Sequence, residues 1–270
     1  MFSLILMGFG SDLDKRGRIH IRRCVISDIH GCYDEFNALL HHVSYDSVQD
    51  ELILLGDYVD RGLKSRQVVD QIIELQQRHS IIALKGNHDA MMVKALTNDN
   101  KEYDSHWIRN GGLQTLGSYV NYATAWDENE FDWNAFDEAK VWVRNHYSHH
   151  LQFLDQLPLV YEIPGYVFVH AGINPDVPDW RKQPESDFMW IREPFYSRPT
   201  AIEETVVFGH TPVKYLHDEM GIWFTSTGDK IGIDGGCAYG AQLNMLTISE
   251  DGSLQTFFVK NRENAEDVEL

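Results

Sequence analysis

One structural unit recurs between Arg23 and Leu96, and it limits the folds that this chain can adopt. Each copy has a short apolar strand, a polar loop rich in Gly, Asp and His, and a helix with apolar residues at helical spacing. The three strands read CVIS, ELILLG and SIIALKG. Because loops at the carboxyl ends of strands in α/β folds converge on one crevice, the unit predicts an α/β protein in which three polar loops meet.

Residues that can bind metal ions follow the predicted strands. They are Asp28, His30, Asp57, Asn87, His88, His170 and His210. Carboxylate, amide and imidazole ligands together suit divalent Mn, Fe or Zn better than calcium, which prefers oxygen alone. An isolated residue of this kind is typical of a turn or a core. The whole set instead favours a site for two metals, with Asp57 as the bridge because a carboxylate has two oxygens.

Five short segments resemble a known family. SDIHG, GDYVDRG, GNHD, VHAG and FGHT occur in this order between residues 27 and 211. They are similar to segments of the phosphoprotein phosphatases, a branch of the calcineurin-like metallophosphoesterases. The resemblance covers most of the chain. It implies a fold in which two mixed β-sheets pack face to face as a sandwich, with helices outside.

The resemblance also implies a place for each metal ligand. The first ion would be held by Asp28 and His30, the bridge would be Asp57, and the second site would be completed by Asn87, His170 and His210. Mn²⁺ is the favoured ion, with Fe and Zn as alternatives. Two such ions lower the pKa of a bound water to about 7, so that hydroxide would attack phosphorus in line.

The remaining loop residues are given roles in proton transfer and phosphate binding by the same resemblance. His88 would protonate the leaving oxygen as general acid, and Asp60 would orient the imidazole. Arg61 would bind phosphate oxygens with its planar guanidinium. Arg192, in FMWIREPF, matches the second arginine of the family's phosphate clamp. An ion pair between Arg192 and an acidic neighbour is the alternative interpretation.

Two further substrate contacts are implied. Asn87 lies beside the predicted general acid, and Tyr239, in DGGCAYGAQL, resembles a family position near the pocket. A core tyrosine is the alternative for Tyr239. With Arg61 and Arg192, these residues form the predicted substrate-binding set.

Departures from the family pattern indicate which branch of the family the chain resembles most. Ser27 stands where the family usually has Gly, and Asp89 where eukaryotic members have Glu, which favours a bacterial-type enzyme. HGCYDEF is also similar to the symmetrical dinucleoside tetraphosphatases, but those usually lack the aspartate of VDRG. Asp60 and Arg61 therefore favour a serine/threonine protein phosphatase, with phosphotyrosine as a further substrate. Hydrolysis of dinucleoside tetraphosphates is the first alternative, and an inactive metal-binding scaffold is the second.

Charge and cysteine content limit the partners and the compartment. The formal net charge is −18, from 23 basic and 41 acidic residues, which argues against a nucleic-acid binder. It also predicts a preference for phosphopeptides with basic flanks. Three cysteines without a C-x-x-C spacing favour a reducing cytoplasm. No run approaches the roughly 18 to 20 apolar residues of a membrane span, so no membrane partner is expected.

The chain is expected to form one domain over residues 1–270, with an N-terminal extension at 1–20 and a mostly helical insertion at about 100–157. LVYEIPGYVFVH predicts a hairpin that turns at Pro164 and Gly165. The tryptophans expected in the core of the insertion are Trp107, Trp126, Trp133 and Trp142. The paired histidines expected on helix surfaces are His41, His42, His149 and His150.

Overall fold

The computed structural model describes residues 21–79, 81–120, 126–127 and 130–261, so the predicted extension at 1–20 lies outside the described residues. The strands are β1 (Arg22–Ile26), β2 (Asp50–Leu54), β3 (Ile81–Ala83), β4 (Trp126–Asp127), β5 (Glu130–Phe131), β6 (Val160–Ile163), β7 (Tyr166–Val169), β8 (Thr205–Phe208), β9 (Trp223–Phe224), β10 (Lys230–Gly232), β11 (Gln242–Ile248) and β12 (Leu254–Lys260). The α-helices are α1 (Tyr33–His42), α2 (Ser65–Arg78), α3 (Asn87–Thr97), α4 (Lys101–Arg109), α5 (Gly112–Tyr119), α6 (Trp133–His146), α7 (Ser148–Gln156) and α8 (Glu185–Trp190).

The first sheet has the strand order β12-β11-β1-β2-β3. Strands β1, β2 and β3 are parallel, with Val25 opposite Ile53, and β11 pairs antiparallel with β1. Parallel strands need crossover connections, and α1 and α2 provide them. The recurring unit of the sequence therefore forms the parallel half of a mixed sheet.

The second sheet has the order β6-β7-β8-β10-β9. Strands β6 and β7 form the predicted hairpin, with Ile163 opposite Tyr166, whereas β8 is parallel to both β7 and β10. This sheet is also mixed.

The two sheets pack face to face through one apolar layer. Val25 and Ile53 of the first sheet lie in the same buried cluster as Phe168 and Val207 of the second. The alternate residues of β1, such as Cys24, face the opposite side, where the apolar faces of α1, α2 and α3 cover the sheet. The predicted α/β sandwich flanked by helices is confirmed.

Helices α4 to α7 occupy most of the described part of residues 100–157. Trp107 is fully buried, as expected, but Trp133 and Trp142 are each 38% exposed. Trp133 begins α6 and lies under the Lys101 ammonium, and Trp142 stacks on His146. The prediction that these two tryptophans belong to the core is therefore wrong, and the side chain of Trp126 lies outside the described residues.

His150 is a second correction. His41, His42 and His149 are exposed, but His150 is fully buried between α2, α5 and α7. Its Nδ1 accepts a hydrogen bond from the Tyr119 hydroxyl, and its Nε2 donates to Asp70. Helical spacing alone missed these partners because both are distant in sequence.

Among the described residues, no helix combines the length and the apolar character needed to cross a membrane.

Candidate metal centre and phosphate pocket

The candidate site lies where strands of both sheets end, and its loops have an unusual backbone. Left-handed backbone conformations are uncommon for residues other than glycine and cost on the order of 1 kcal/mol or more each. The site residues with positive φ are Asp28 (52°), His30 (45°), Asp57 (57°), Asp60 (73°), Arg61 (72°) and His210 (62°). The described residues contain one more such non-glycine residue, Ser44. The surrounding fold therefore holds these side chains in positions that the isolated loops would not adopt.

Asp57 lies between two histidines. Its Oδ2 is 3.5 Å from His30 Nε2, and its Oδ1 is 3.4 Å from His170 Nε2. Two buried groups of possible ligands therefore share this carboxylate. One contains His30, Asp57 and His88, the other contains Asp57, His170 and His210, and the ligand atoms in each lie within 4.8 Å of one another. Asp57 thus has the geometry of a bridging ligand.

The two histidines that flank Asp57 have defined tautomers. His30 Nδ1 is 2.7 Å from the Val59 carbonyl, and His170 Nδ1 is 2.9 Å from the Leu55 carbonyl. Since a carbonyl oxygen can only accept, each Nδ1 carries the proton and each Nε2 points to Asp57. A second hydrogen bond of this kind is common for histidines that bind metals.

The second group includes Asn87 as well. Asn87 Oδ1 is 2.9 Å from His170 Nε2, on the side where Asp57 Oδ1 also approaches. Burial lowers the pKa of His170, but Asp57, Asp28 and Asp89 together outweigh burial and raise it to about 9. Oxygen acceptors therefore surround this nitrogen closely enough to require a proton or a cation among them. A divalent ion fits this requirement.

Asp28 and His210 connect the two sheets at the site. The His210 amide donates to Asp28 Oδ2 at 2.9 Å, and Asp28 Oδ1 lies 4.0 Å from His30 Nε2. Burial and the neighbouring His170 lower the pKa of His210 to about 2, so its imidazole is neutral and available as a ligand. The hydroxyl of Ser27, the residue that replaces the usual glycine, contacts the Asp28 carboxylate.

Arg192 lies beside His210. Its Nε is 3.2 Å from His210 Nε2, and its Nη2 donates to the His210 carbonyl at 3.2 Å. No acidic residue among those described pairs with it, so the alternative of an ion pair is not observed.

His88 and Asp60 form a buried pair. His88 Nδ1 is 2.7 Å from Asp60 Oδ2. His88 Nε2 is left directed toward a polar pocket, which is described below. Asp60 Oδ1 accepts from Trp107 Nε1 at 2.8 Å and from the Thr115 hydroxyl at 2.9 Å. Burial raises the pKa of Asp60 and these hydrogen bonds oppose that rise. The sequence analysis missed the contribution of Trp107 and Thr115, which come from helices in the 100–157 segment.

Arg61 extends along the wall of the pocket. Its Nη2 lies 2.8 Å from His88 Nε2, and its Nη1 contacts His30 Nε2. The guanidinium also lies over the ring of Tyr239, 4.8 Å from its centroid. Tyr239 is 57% exposed, so the alternative of a core tyrosine is wrong.

Two buried carboxylates near the site were not predicted as functional. Asp89 accepts hydrogen bonds from the backbone amides of Asp57, Tyr58 and Gly86. It thereby fixes the loop that carries Asp57, called the bridging loop, to the start of α3. Burial, followed by the nearby Asp57, raises the pKa of Asp89 to about 7. Asp234 lines the pocket, and its position just after β10 matches the strand-end pattern of the predicted ligands. That pattern could have identified it.

A polar pocket of about 220 Å³ brings most of these side chains together, and it is called the phosphate pocket because it contains both arginines predicted to bind phosphate. Its lining residues are Asp57, Arg61, Asn87, His88, Asn110, Trp190, Arg192, His210, Pro212, Tyr215, Asp234 and Tyr239. Asp28, His30 and His170 lie behind the lining, and Asp60 is fully buried behind His88. The structure therefore brings all the predicted site residues to one place.

Comparisons with known proteins bear on the family and the fold of this chain. A family model described as calcineurin-like phosphoesterase matches residues 21–240. An asymmetrical bis(5'-nucleosyl)-tetraphosphatase of Anoxybacillus flavithermus is 26% identical over 84% of this chain and 90% of that protein. Serine/threonine-protein phosphatase 1 of Salmonella typhimurium is 24% identical over 83% of this chain and 90% of that protein.

Two other similarities are more limited. A symmetrical bis(5'-nucleosyl)-tetraphosphatase of Nitrosococcus oceani is 32% identical, but the match spans 56% of this chain and 43% of that protein. A crystal structure provisionally assigned as a diadenosine tetraphosphatase has a TM-score of 0.60 at 22% identity, over 89% of this chain and 98% of that one. This structural similarity supports the fold.

Proposed function

Since this chain belongs to the calcineurin-like phosphoesterase family, and is therefore a metal-dependent phosphohydrolase, we propose that its substrates are phosphoserine and phosphothreonine in proteins. Asp28, His30 and Asp57 would hold one divalent ion, and Asp57, Asn87, His170 and His210 would hold the other. When bound, the two ions supply Lewis-acid stabilisation of the phosphoryl oxygens and a nucleophile at neutral pH.

The arginines bind and orient the phosphate. Arg61 reaches the pocket from the side of His88, and Arg192 reaches it from the side of His210. A guanidinium can donate two parallel hydrogen bonds to phosphate oxygens, so the pair would fix the orientation of the ester. Asn87 would contribute from the wall between them.

The leaving oxygen receives its proton from His88. Because His88 Nδ1 donates to Asp60, the Nε2 proton is the one that can be transferred into the pocket. Asp60 stabilises the charged imidazole, and the hydrogen bonds from Trp107 and Thr115 keep its carboxylate in place. Asp60 therefore fixes the orientation of the imidazole, and His88 Nε2, which lies 2.8 Å from Arg61 Nη2, would carry the proton once Arg61 donates to the phosphate instead.

The buried His88–Asp60 pair is the observation that supports a phosphomonoester most strongly. The alkoxide of serine or threonine is a strong base, so it leaves only when it is protonated. A nucleoside phosphate leaves as a stable anion and gains little from a general acid. A histidine whose Nδ1 lies 2.7 Å from a buried carboxylate, as in His88 and Asp60, thus suits the hydrolysis of an alkyl ester better than that of a phosphoanhydride.

Hydrolysis of dinucleoside polyphosphates is the second candidate. Tyr239 and Tyr215 line the phosphate pocket and are 57% and 67% exposed. Exposed aromatic rings beside a phosphate site can stack on nucleobases. The names of the bis(5'-nucleosyl)-tetraphosphatase relatives favour the same candidate.

A direct comparison of substrates tests the proposal. A single Mn²⁺-loaded preparation is assayed on phosphoserine and phosphothreonine peptides and on diadenosine tetraphosphate, and kcat/KM is measured for each. We expect the best phosphopeptide to exceed the dinucleotide by at least about tenfold. A dinucleotide value above that of every phosphopeptide would establish the second candidate instead.

A further inference from the structure

Six basic side chains around the site form no ion pair with an acidic residue in the described part of the chain, unlike the other described lysines and arginines. Among the described residues, most lysines and arginines lie within 4.0 Å of an acidic side chain. The described basic residues with no such ion pair to another described residue are Arg61, Lys94, Arg109, Arg192, Lys214 and Lys260. Arg61 and Arg192 line the phosphate pocket, and the other four line two cavities beside it.

The first cavity, the α3/α4 groove, has a volume of about 440 Å³. Its lining residues are Asn87, Ala90, Met91, Lys94, Glu102, Tyr103, His106, Arg109, Met189 and Trp190. Asn87 and Trp190 also line the phosphate pocket, so the two cavities are adjacent. The methionines and Trp190 provide apolar surface, whereas Lys94 and Arg109 place two exposed cations there against one acid, Glu102.

The second cavity, the Tyr239 pocket, has a volume of about 360 Å³. Its lining residues are Lys214, Met220, Gly236, Tyr239, Gly240, Ala241, Gln242 and Lys260. It shares Tyr239 with the phosphate pocket, and none of its described lining residues is acidic. Lys214 Nζ is 5.8 Å from the centroid of the Tyr239 ring. One of the two cations of the Tyr239 pocket therefore lies next to the residue that this pocket shares with the phosphate pocket.

Unpaired cations grouped in this way are unexpected in a chain of net charge −18. Acidic side chains are abundant enough to neutralise every lysine and arginine, and they do so for most of those described. Cations left without an acid beside a binding site attract anionic partners and raise their association rates. Among the described lining residues, cations therefore outnumber acids in both cavities, which is opposite in sign to the net charge that by itself predicted a preference for basic flanks.

We propose that the α3/α4 groove and the Tyr239 pocket bind acidic side chains on the two sides of the phosphorylated residue, so that the enzyme selects phosphopeptides with acidic flanks. This inference rests on the proposed protein phosphatase activity. A peptide extends in both directions from its phosphate, and each cavity shares at least one lining residue with the phosphate pocket. Lys94 and Arg109 would bind one flank, and Lys214 and Lys260 would bind the other.

Four phosphoserine peptides test the inference. They carry acidic residues on the N-terminal side only, on the C-terminal side only, on both sides, or basic residues on both sides. At low salt, kcat/KM should be highest for the doubly acidic peptide, by about tenfold or more over the basic one, and the difference should shrink as ionic strength rises because charges are screened over about 8 to 10 Å. The difference should lie mainly in KM, since the cations do not touch the reacting atoms.

Charge-reversal variants separate the two cavities. Lys94→Glu/Arg109→Glu should abolish the preference for acid on one flank, and Lys214→Glu/Lys260→Glu should abolish it on the other. Lys182→Glu, at an exposed lysine that pairs with Asp179 away from these cavities, is the matched control and should leave all four kcat/KM values unchanged. Values on p-nitrophenyl phosphate from each preparation correct for differences in active fraction.

Three outcomes would overturn the inference. One is equal kcat/KM for acidic and basic peptides at low salt, and another is equal loss of the preference in the Lys182→Glu control. The third is a response of diadenosine tetraphosphate alone to the double variants, which would assign both cavities to nucleosides. If no phosphopeptide is hydrolysed while the dinucleotide is, the proposed function itself fails, and that result is distinct from an unselective phosphatase.

Discussion

At the level of single residues, the positions of His88 and His170 predict different roles. His88 donates through Nδ1 to a carboxylate and directs Nε2 toward the pocket lining, whereas His170 directs Nε2 toward Asp57 and Asn87. The first arrangement suits an acid, and the second suits a ligand. Mutation of each should therefore affect different steps.

His88→Asn should retain the metal content of the wild-type protein but lower kcat on phosphoserine by about 10² to 10⁴. The loss should be smaller on p-nitrophenyl phosphate, because that leaving group is stable without a proton. His170→Asn should instead lower metal content and reduce both activities alike. Elemental analysis and the two rates for each variant distinguish the roles, and metal loss in His88→Asn would show that the acid assignment is wrong.

At the level of elements, the junction of β3 and α3 holds the bridging loop. Gly86 precedes α3. A Cβ added to Gly86 would lie only 2.9 Å from Cγ of Asp57 and would overlap the Asp57 carboxylate. Asp89, in the first turn of α3, holds the amides of the same loop. The start of α3 and the loop that carries Asp57 are therefore one packed unit.

Gly86→Ala should lower the free energy of unfolding by about 1 to 3 kcal/mol, since the added methyl has no space. It should also reduce metal content by displacing Asp57. Gly117→Ala is the matched control, because Gly117 is an exposed helical glycine with nothing within 4 Å of an added Cβ. That change should stabilise by about 0.5 to 1 kcal/mol. Urea titration measures both effects, and an unchanged Gly86→Ala protein would refute the packing argument.

The junction of α2, α5 and α7 should respond to pH through His150. Burial lowers its pKa to about 4, although Asp70 raises it in part, while Arg66 and His149 lower it further. The neutral imidazole is thus favoured in the folded state. The unfolded chain, with a histidine pKa of about 6.5, binds the proton more readily, so this stabilisation is complete above pH 6.5 and is lost as pH falls toward 4.

His150→Gln should remove this dependence. The wild-type protein should lose up to about 3 kcal/mol more than the variant between pH 6.5 and 4, because glutamine does not titrate in this range. Urea unfolding gives the free energy of unfolding of both proteins at several pH values. Subtracting the value of the variant from that of the wild type at each pH cancels the contributions of the other titrating groups. Parallel pH profiles for the two proteins would exclude His150 as the cause.

At the level of the whole molecule, bound metal should link the two sheets. Asp28, His30 and Asp57 follow strands of the first sheet, whereas His170 and His210 follow strands of the second. An ion held by residues of both sheets stabilises the folded state by mass action, by about 2.7 kcal/mol at a hundredfold excess over its Kd. Metal removal should therefore affect stability as well as catalysis.

Chelation should abolish activity and lower the melting temperature, and Mn²⁺ should restore both more readily than Mg²⁺ because imidazole ligands suit the softer ion. Calorimetry with and without metal gives the stability change, and elemental analysis gives the occupancy. Full activity in protein shown to be metal-free would contradict this prediction, as would complete recovery with Mg²⁺ alone.

Local sequence patterns by themselves predicted an α/β arrangement with converging polar loops and the residues proposed as ligands, whereas the two-sheet sandwich was implied by the family resemblance. Apolar strands followed by Asp, His and Asn are local features, and parallel strands bring their ends to one edge of a sheet. The tertiary structure decided which residues support and surround them. Trp107 and Thr115 contact Asp60 across 47 and 55 residues of sequence, and the helical pattern gives no sign of such contacts. Likewise, the net charge did not reveal which cations lack acidic partners, because ion pairing depends on distances that only the folded chain sets.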